Sequence, residues 1–284
     1  MTVCRLLGSA AKVALGENAA APAGQGAEVQ IVLEDVRVQG RRAPLLELDR
    51  LAVETGECVL VAGEPGQGHT ALALVLTGRM APSSGRVRLV DDGGSFSYDP
   101  RELRRVTAVV DLPGVSEPDD EVPVGTVTAE GLALAHRGAG PRAPGRWLAR
   151  QHLGELEPDR VDALVGPTRT ALLTALAAER VGVRFLILTL PDRHGDEPAH
   201  WWDLAQQYAG AGYGVLVQCN RSSARDLGAA LPPAQGVRNQ YARPVETLRV
   251  RLQAPPEQLE LDSPPTRLLP VEHPGAAPPR EMDR

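Results

Sequence analysis

The chain has 284 residues, a formal net charge of -6 at pH 7 and a pI near 5.6. That balance argues against a general nucleic-acid binder, which carries a basic field. Hydrophobic residues make up 43% of the chain but aromatics only 3%, which suits one large α/β domain with a core mostly of Val, Leu and Ala. Cys4, Cys58 and Cys219 form an odd set without C-x-x-C spacing, so neither a disulfide framework nor a zinc site is expected. No apolar run approaches the roughly 18 to 20 residues that cross a bilayer. Residues 6–15 look faintly like a signal peptide, but Lys12 interrupts the apolar stretch and an Ala/Gly/Pro linker follows.

In chain order, residues 1–27 are small and Gly/Ala/Pro-rich and read as a flexible leader. Residues 29–33, 36–38 and 45–53 alternate or run apolar between turns, as half-buried antiparallel strands do. Residues 58–62 form a continuous apolar strand, a glycine-rich loop follows at once, and residues 70–79 present one apolar helical face. A turn at residues 82–85 leads into a strand over 86–90, and residues 106–110 read as a further buried strand. Residues 112–125 are loop-like, and helices are expected over 129–136, 147–153 and 169–180. Residues 185–190 are the most hydrophobic stretch and predict a central parallel strand. A helix over 201–211 and a strand over 215–218 complete the pattern, and residues 251–284 read as a Pro-rich disordered tail.

The glycine-rich loop carries the first chemical signal. Gly63, Glu64, Pro65, Gly66, Gln67, Gly68, His69 and Thr70 match G-x-x-x-x-G-K-[ST] except that His69 stands where Lys is expected. The glycines of such a loop shape a phosphate cradle, and the Lys brings the charge that reaches the outer phosphates. The single lysine, Lys12, is far off in sequence, and arginine is no substitute for a compact ammonium. Gly63 through Ala71 are the candidate nucleotide-binding residues, and Thr70 is a candidate Mg ligand.

From residue 32 to about 227 the chain resembles the nucleotide-binding cassette of ATP-binding cassette (ABC) transporters. The resemblance rests on Leu33-Glu34-Asp35-Val36 and Gly56-Glu57, on the loop and its helix, and on Leu76-Thr77-Gly78 through Pro82-Ser83-Ser84-Gly85-Arg86-Val87. It implies an α/β, P-loop NTPase-like fold: a mostly parallel core sheet, an antiparallel β subdomain and a helical subdomain. The cassette would span residues 28–250, with the helical subdomain at about 112–168. By position, Asp111 falls at the Q-loop glutamine, Leu164-Val165-Gly166-Pro167-Thr168 at the signature, and Thr189 and Leu190 at the Walker B Asp and catalytic Glu. Gly195-Asp196 falls at the end of the D-loop and Asn220 at the switch histidine, and no aromatic occurs near Gln39-Gly40 to stack on adenine.

These replacements remove the charge that hydrolysis depends on, since phosphoryl transfer is mostly positioning and neutralisation. No catalytic residue is therefore expected, whereas ATP and Mg remain the implied cofactors through the loop. The resemblance implies a membrane-spanning transporter subunit and a second cassette as partners, in a homo- or heterodimer without nucleic acid. It implies a cytoplasmic location, peripheral on the inner face of the cell membrane. The alternatives are a scaffold on the same fold and an ATPase with displaced catalytic groups.

Several residues carry blander expectations. His69 reads as a solvated or capped loop histidine, and Asp192 and Asp196 as solvated loop carboxylates. The Arg-rich stretches 101–105 and 142–150 read as solvated faces, and one of Trp201 and Trp202 as core. His194, His200, Glu197 and Asp192 lack the regular spacing of a metal site.

Overall fold

The computed structural model describes residues 28–138, 140–195, 197–231 and 245–251, the last as backbone alone. The expected leader, and the tail beyond residue 251, lie outside the described residues.

Two sheets organise the chain. The first is antiparallel, in the order β2-β1-β4-β5, from β1 (Gln30–Gln39), β2 (Pro44–Glu54), β4 (Ser84–Val90) and β5 (Phe96–Ser97). The second runs β6-β7-β8-β3-β9, from β6 (Thr107–Val110), β7 (Phe185–Thr189), β8 (Gly214–Cys219), β3 (Glu57–Ala62) and β9 (Val245–Arg251). Its first four strands pair in parallel, and β9 pairs antiparallel with β3 at the edge.

The central strands are buried at every position because the sheet is covered on both faces. Alternation decides which face each residue serves. Leu60, Leu186, Leu188, Val215 and Val217 pack with α3 (Val124–Leu134), α4 (Ala143–Arg150), α5 (Gly166–Ala178) and α6 (Pro198–Gly210). Val59, Val61, Phe185, Ile187 and Leu216 pack instead with α1 (His69–Leu76), α2 (Pro100–Val106) and the antiparallel sheet. Each fully buried Val, Leu or Phe contributes roughly 1.5–3 kcal/mol.

The helical region carries two of the longer-reaching polar contacts. Trp147 of α4 donates its indole N–H to Glu179 at the end of α5 (2.9 Å), and Arg137 beyond α3 pairs with the same carboxylate (3.1 Å). None of the helices among the described residues is long and apolar enough to cross a membrane.

Several boundaries differ from the sequence reading. The two strand fragments at 29–33 and 36–38 are one strand, β1, whose register shifts beside Asp35, held at φ 51°. The helices expected at 129–136 and 147–153 begin earlier, because Pro123 precedes α3 and Pro144 opens α4, places where a missing N–H does no harm. Both then stop at histidines in the left-handed region, His136 (φ 54°) and His152 (φ 59°). A helix lies at Pro100–Val106 where the reading saw a basic patch, and residues 245–251 form a strand that it did not foresee.

Candidate functional site

The strand β3 delivers the chain to Gly63, whose N–H bonds to Cys219 O at the end of β8 (3.0 Å). The loop then turns on Gly66 (φ 86°) and Gly68 (φ 93°), left-handed conformations open to glycine. Gly68 also approaches β2 closely: a Cβ there would lie 2.2 Å from Leu45 O. Gly68 is the N-cap of α1 with no side-chain cap, so the first N–H groups of the helix face outward into the loop without intrahelical acceptors. This is a backbone anion cradle with the positive end of a helix behind it.

Two side chains turn into that cradle. A Cβ on Gly63 would lie 2.8 Å from His69 Nε2 and 3.3 Å from Gln67 Oε1. Gln67 Oε1 accepts the Glu64 N–H (2.8 Å), so the loop closes partly on itself. His69 is only 6% exposed, and its Nε2 is buried without a hydrogen-bond partner. Burial holds its pKa below the ordinary histidine value, against the upward pull of Asp192 and Glu64. The expectation of a solvated or capped histidine is therefore wrong: the ring is buried, with its Nε2 turned toward Gly63. From behind, Gln218 of β8 donates to His69 O (3.0 Å). Thr70 is exposed at the start of α1.

At the end of β7 there is no carboxylate. Thr189 is buried and spends its hydroxyl on Val110 O (2.6 Å), and Leu190 follows at φ 50°. The acidic group in electrostatic reach of His69 here is Asp192. Its Oδ2 accepts the Asn220 N–H (2.7 Å) and the Ser223 hydroxyl (3.0 Å). Asp192 is thus a tie between the segment after β7 and α7 (Arg221–Asp226), not a solvated loop carboxylate. Asn220 caps α7 by accepting Ser223 N–H (2.8 Å), which explains an asparagine at that position. Asp196 lies outside the described residues.

Asp111, just past β6, shows the largest departure from a simple loop. It is 6% exposed, sits at φ 55° and gathers three partners, two of them guanidinium groups. Arg169 of α5 reaches it at 3.2 Å, Arg193 at 2.9 Å and His194 Nε2 at 2.8 Å. A carboxylate can only accept, so His194 carries its proton on Nε2 in this contact. Burial would push the Asp111 carboxyl up. Hydrogen bonds from His194 and Arg169 and the charges of Arg193 and Arg169 outweigh it and hold the carboxyl below the usual range. Arg169 is itself only 3% exposed and also binds Asp120 (2.8 Å), while Arg193 binds Glu117 (2.9 Å). The network joins the end of β6, the start of α5 and the short 3-10 turn at Pro191–His194.

Oxygen and nitrogen atoms of Asp111, Glu117 and His194 come within 4.8 Å of one another, a grouping unlike the one weighed from sequence. Two guanidinium groups already occupy the space between these acids, so the cluster is an ion-pair network, not a metal centre. Of the residues at 164–168, Val165 is 53% exposed, while Gly166 packs against the same turn: a Cβ on it would lie 3.0 Å from His194 O and Gly195 O. Arg101, Arg104 and Arg105, with Arg142, Arg146 and Arg150, are solvent-exposed. Trp201 and Trp202 are both buried, where one alone was expected to be core.

The fold is α/β: a largely parallel core sheet, an antiparallel β sheet and a helical region, with a glycine-rich loop joining β3 to α1. In sequence, the chain is similar to an ABC transporter ATP-binding protein of Streptomyces coelicolor, 36% identical over 146 residues, which is 51% of this chain and 24% of that protein. It is also similar to a hemin import ATP-binding protein of Rhodopseudomonas palustris, 45% identical over 60 residues, or 21% of this chain and 22% of that one. The aligned stretches thus amount to less than a quarter of either relative's length. No protein-family profile matches the chain. Among solved structures, a nucleotide-free ATP-binding cassette from an ABC transporter covers 70% of this chain and 84% of its own, at 15% identity and TM-score 0.47. CbiO1 from Clostridium perfringens, part of an ABC transporter complex, covers 67% and 78%, at 17% identity and TM-score 0.49.

The residues fit a phosphate better than they fit its usual magnesium. The cradle offers backbone N–H donors and the end of a helix. For a metal it offers the Thr70 hydroxyl, while the end of β7 supplies Thr189 and Leu190 in place of oxygen-rich ligands.

Proposed function

We propose that the chain is an ABC-type ATP-binding subunit, impaired in hydrolysis, that serves a membrane transporter complex as a cytoplasmic nucleotide-binding or regulatory partner. The cassette is taken as residues 28–250, with its helical subdomain at about 112–168. Gly63 through Ala71 form the nucleotide-binding loop, with Thr70 as its magnesium ligand. The partners are a membrane-spanning subunit, which would hold the protein at the inner face of the membrane, and a second cassette.

One observation carries this reading. Gly66 and Gly68 hold the loop in left-handed turns at the head of a helix, which supports phosphate binding there, while Thr189 is already bonded and Leu190 is apolar at the end of β7. Removing one preorganised electrostatic group typically costs about 3–4 kcal/mol of barrier stabilisation. Here His69, Thr189 and Leu190 together replace the usual cation and both carboxylates.

A second reading has its own support. Gln67 Oε1 occupies the Glu64 N–H, and the His69 ring lies over Gly63, so the loop is self-filled in the manner of a scaffold. Calorimetric titration with MgATP separates the two, with His69→Lys run alongside. The first reading expects binding by the wild type at tens of micromolar or tighter, with turnover near background. Silence from the wild type and the variant alike overturns it in favour of the scaffold.

A further inference from the structure

One well-formed cleft lies away from the phosphate loop. It opens at the other end of α1, between the C-terminus of that helix, β4 and α2, with a volume of about 660 Å³. That falls in the range of roughly 300–1,000 Å³ usual for small-molecule sites. Its apolar lining includes Val75, Val87 and Leu103, all buried. Tyr98 lies on its wall, 47% exposed, with the 56% exposed Phe96 packed edge-on against it at 5.4 Å. Among the described residues these two are the exposed aromatics, and Tyr98 lines this cleft.

Three arginines, Arg79, Arg86 and Arg104, line the same cleft. None of them makes an ion pair with a carboxylate among the described residues. Arg79 is held rigidly by Thr77 O (3.1 Å) and Thr107 Oγ1 (3.0 Å), and Arg104 by Gly78 O (2.5 Å). Carbonyls and a hydroxyl satisfy donors, and the end of a helix adds about half a negative charge. That does not neutralise two or three guanidinium groups. The imbalance registers at Arg79, whose pKa is lowered to about 10 by burial and by the charges of Arg180 and Arg104. An apolar cleft with fixed, uncompensated cations on its wall is complementary to one class of ligand.

We propose that this cleft binds a small amphipathic organic anion, its apolar body against Val75, Val87 and Leu103 and its carboxylate or phosphate at Arg79 and Arg104. Planar guanidinium groups suit either oxyanion, since they donate in pairs. The site is separate from the phosphate loop and does not depend on nucleotide binding.

Octanoate titrated into the full chain by calorimetry, with 1-octanol as its uncharged counterpart, tests this. Saturable one-to-one octanoate binding is expected, with octanol at least tenfold weaker. Arg104→Gln, an exposed position, should weaken octanoate at least tenfold while leaving the melting temperature unchanged. Arg86→Gln, at a second exposed arginine of the lining, should weaken it less. Inorganic phosphate displacing octanoate would place a phosphate head at the arginines, and its failure to do so would favour a carboxylate there. Absence of octanoate binding, equal affinity for octanol, or indifference to both arginine substitutions overturns the proposal.

Discussion

The phosphate loop and the Asp111 network lie beyond the C-terminal ends of two strands of one sheet, β3 and β6, with β7 and β8 between them, yet they are built on opposite plans. In the loop the backbone is arranged and the side chains are not: glycines hold their turns, while a buried histidine nitrogen lacks a partner. Around Asp111 the side chains do everything, and each charge has an opposite neighbour. A site that waits for a guest leaves donors uncommitted, whereas a structural joint consumes its own. The comparison teaches that the order of the glycine loop is written in backbone geometry, whereas that of the Asp111 network is written in side chains, which make a fixed joint between the sheet and α5.

The comparison can be broken hardest at the joint. Asp111→Ala removes the carboxylate shared by Arg169, which is 3% exposed, Arg193 and His194, and leaves Arg169 only Asp120 and Arg193 only Glu117 at the surface. Breaking a buried pair costs about 3–5 kcal/mol when the remaining charge has no other partner, so a loss of about 2–4 kcal/mol in the unfolding free energy is expected by urea denaturation. An effect under 1 kcal/mol would show that the network is not a joint.

Next come the two loop glycines, which sharpen the backbone half of the contrast. Gly68→Ala meets both the left-handed conformation and the Leu45 carbonyl at 2.2 Å, so a loss of about 2–3 kcal/mol is expected. Gly66→Ala has the same kind of φ with nothing within 4 Å, and should lose about 1 kcal/mol. Equal losses would mean that the approach of the loop to β2 is unimportant.

Acid distinguishes the regions in another way. His69 has a lowered folded pKa, so the unfolded chain binds its proton first, and stability should begin to fall as pH drops below about 6.5. Asp111 also has a lowered folded pKa, so its contribution is present above about 3.9 and is lost at lower pH still. Urea midpoints measured from pH 8 to 3 should decline in that order, and His69→Gln should remove the earlier decline alone. The smallest effect is expected at Arg160, whose pairs with Glu121 (3.6 Å) and Asp162 (3.2 Å) are solvent-exposed. Its replacement by Ala should change stability by less than about 0.5 kcal/mol.

The same division explains what could be read from sequence. The strand at residues 58–62, the glycine loop and the helix behind it are contiguous, so local pattern suffices, and the buried runs of β7 and β8 stand out by composition. Asp111, Arg169 and Arg193 are 58 and 82 residues from one another's partners, and only the folded topology brings them together. The helix at Pro100–Val106 did carry a local signal: Asp99 as cap, Pro100 next, Glu102 early, Arg104 and Arg105 late. Read as an Arg-rich solvated face, that segment showed its charge but not the order of acidic and basic residues along it. The inward turn of His69 had no sequence signature, since a loop histidine faces water or interior according to what packs around it.

The placement of the tryptophans has an optical consequence. Trp147 reports from the helical region, its indole tied to Glu179, while Trp201 and Trp202 report from α6 against the parallel sheet. Emission from Trp147 should shift to longer wavelength if α4 parts from α5 while the sheet stays folded, and a Trp201→Phe, Trp202→Phe chain would make that colour change readable on its own.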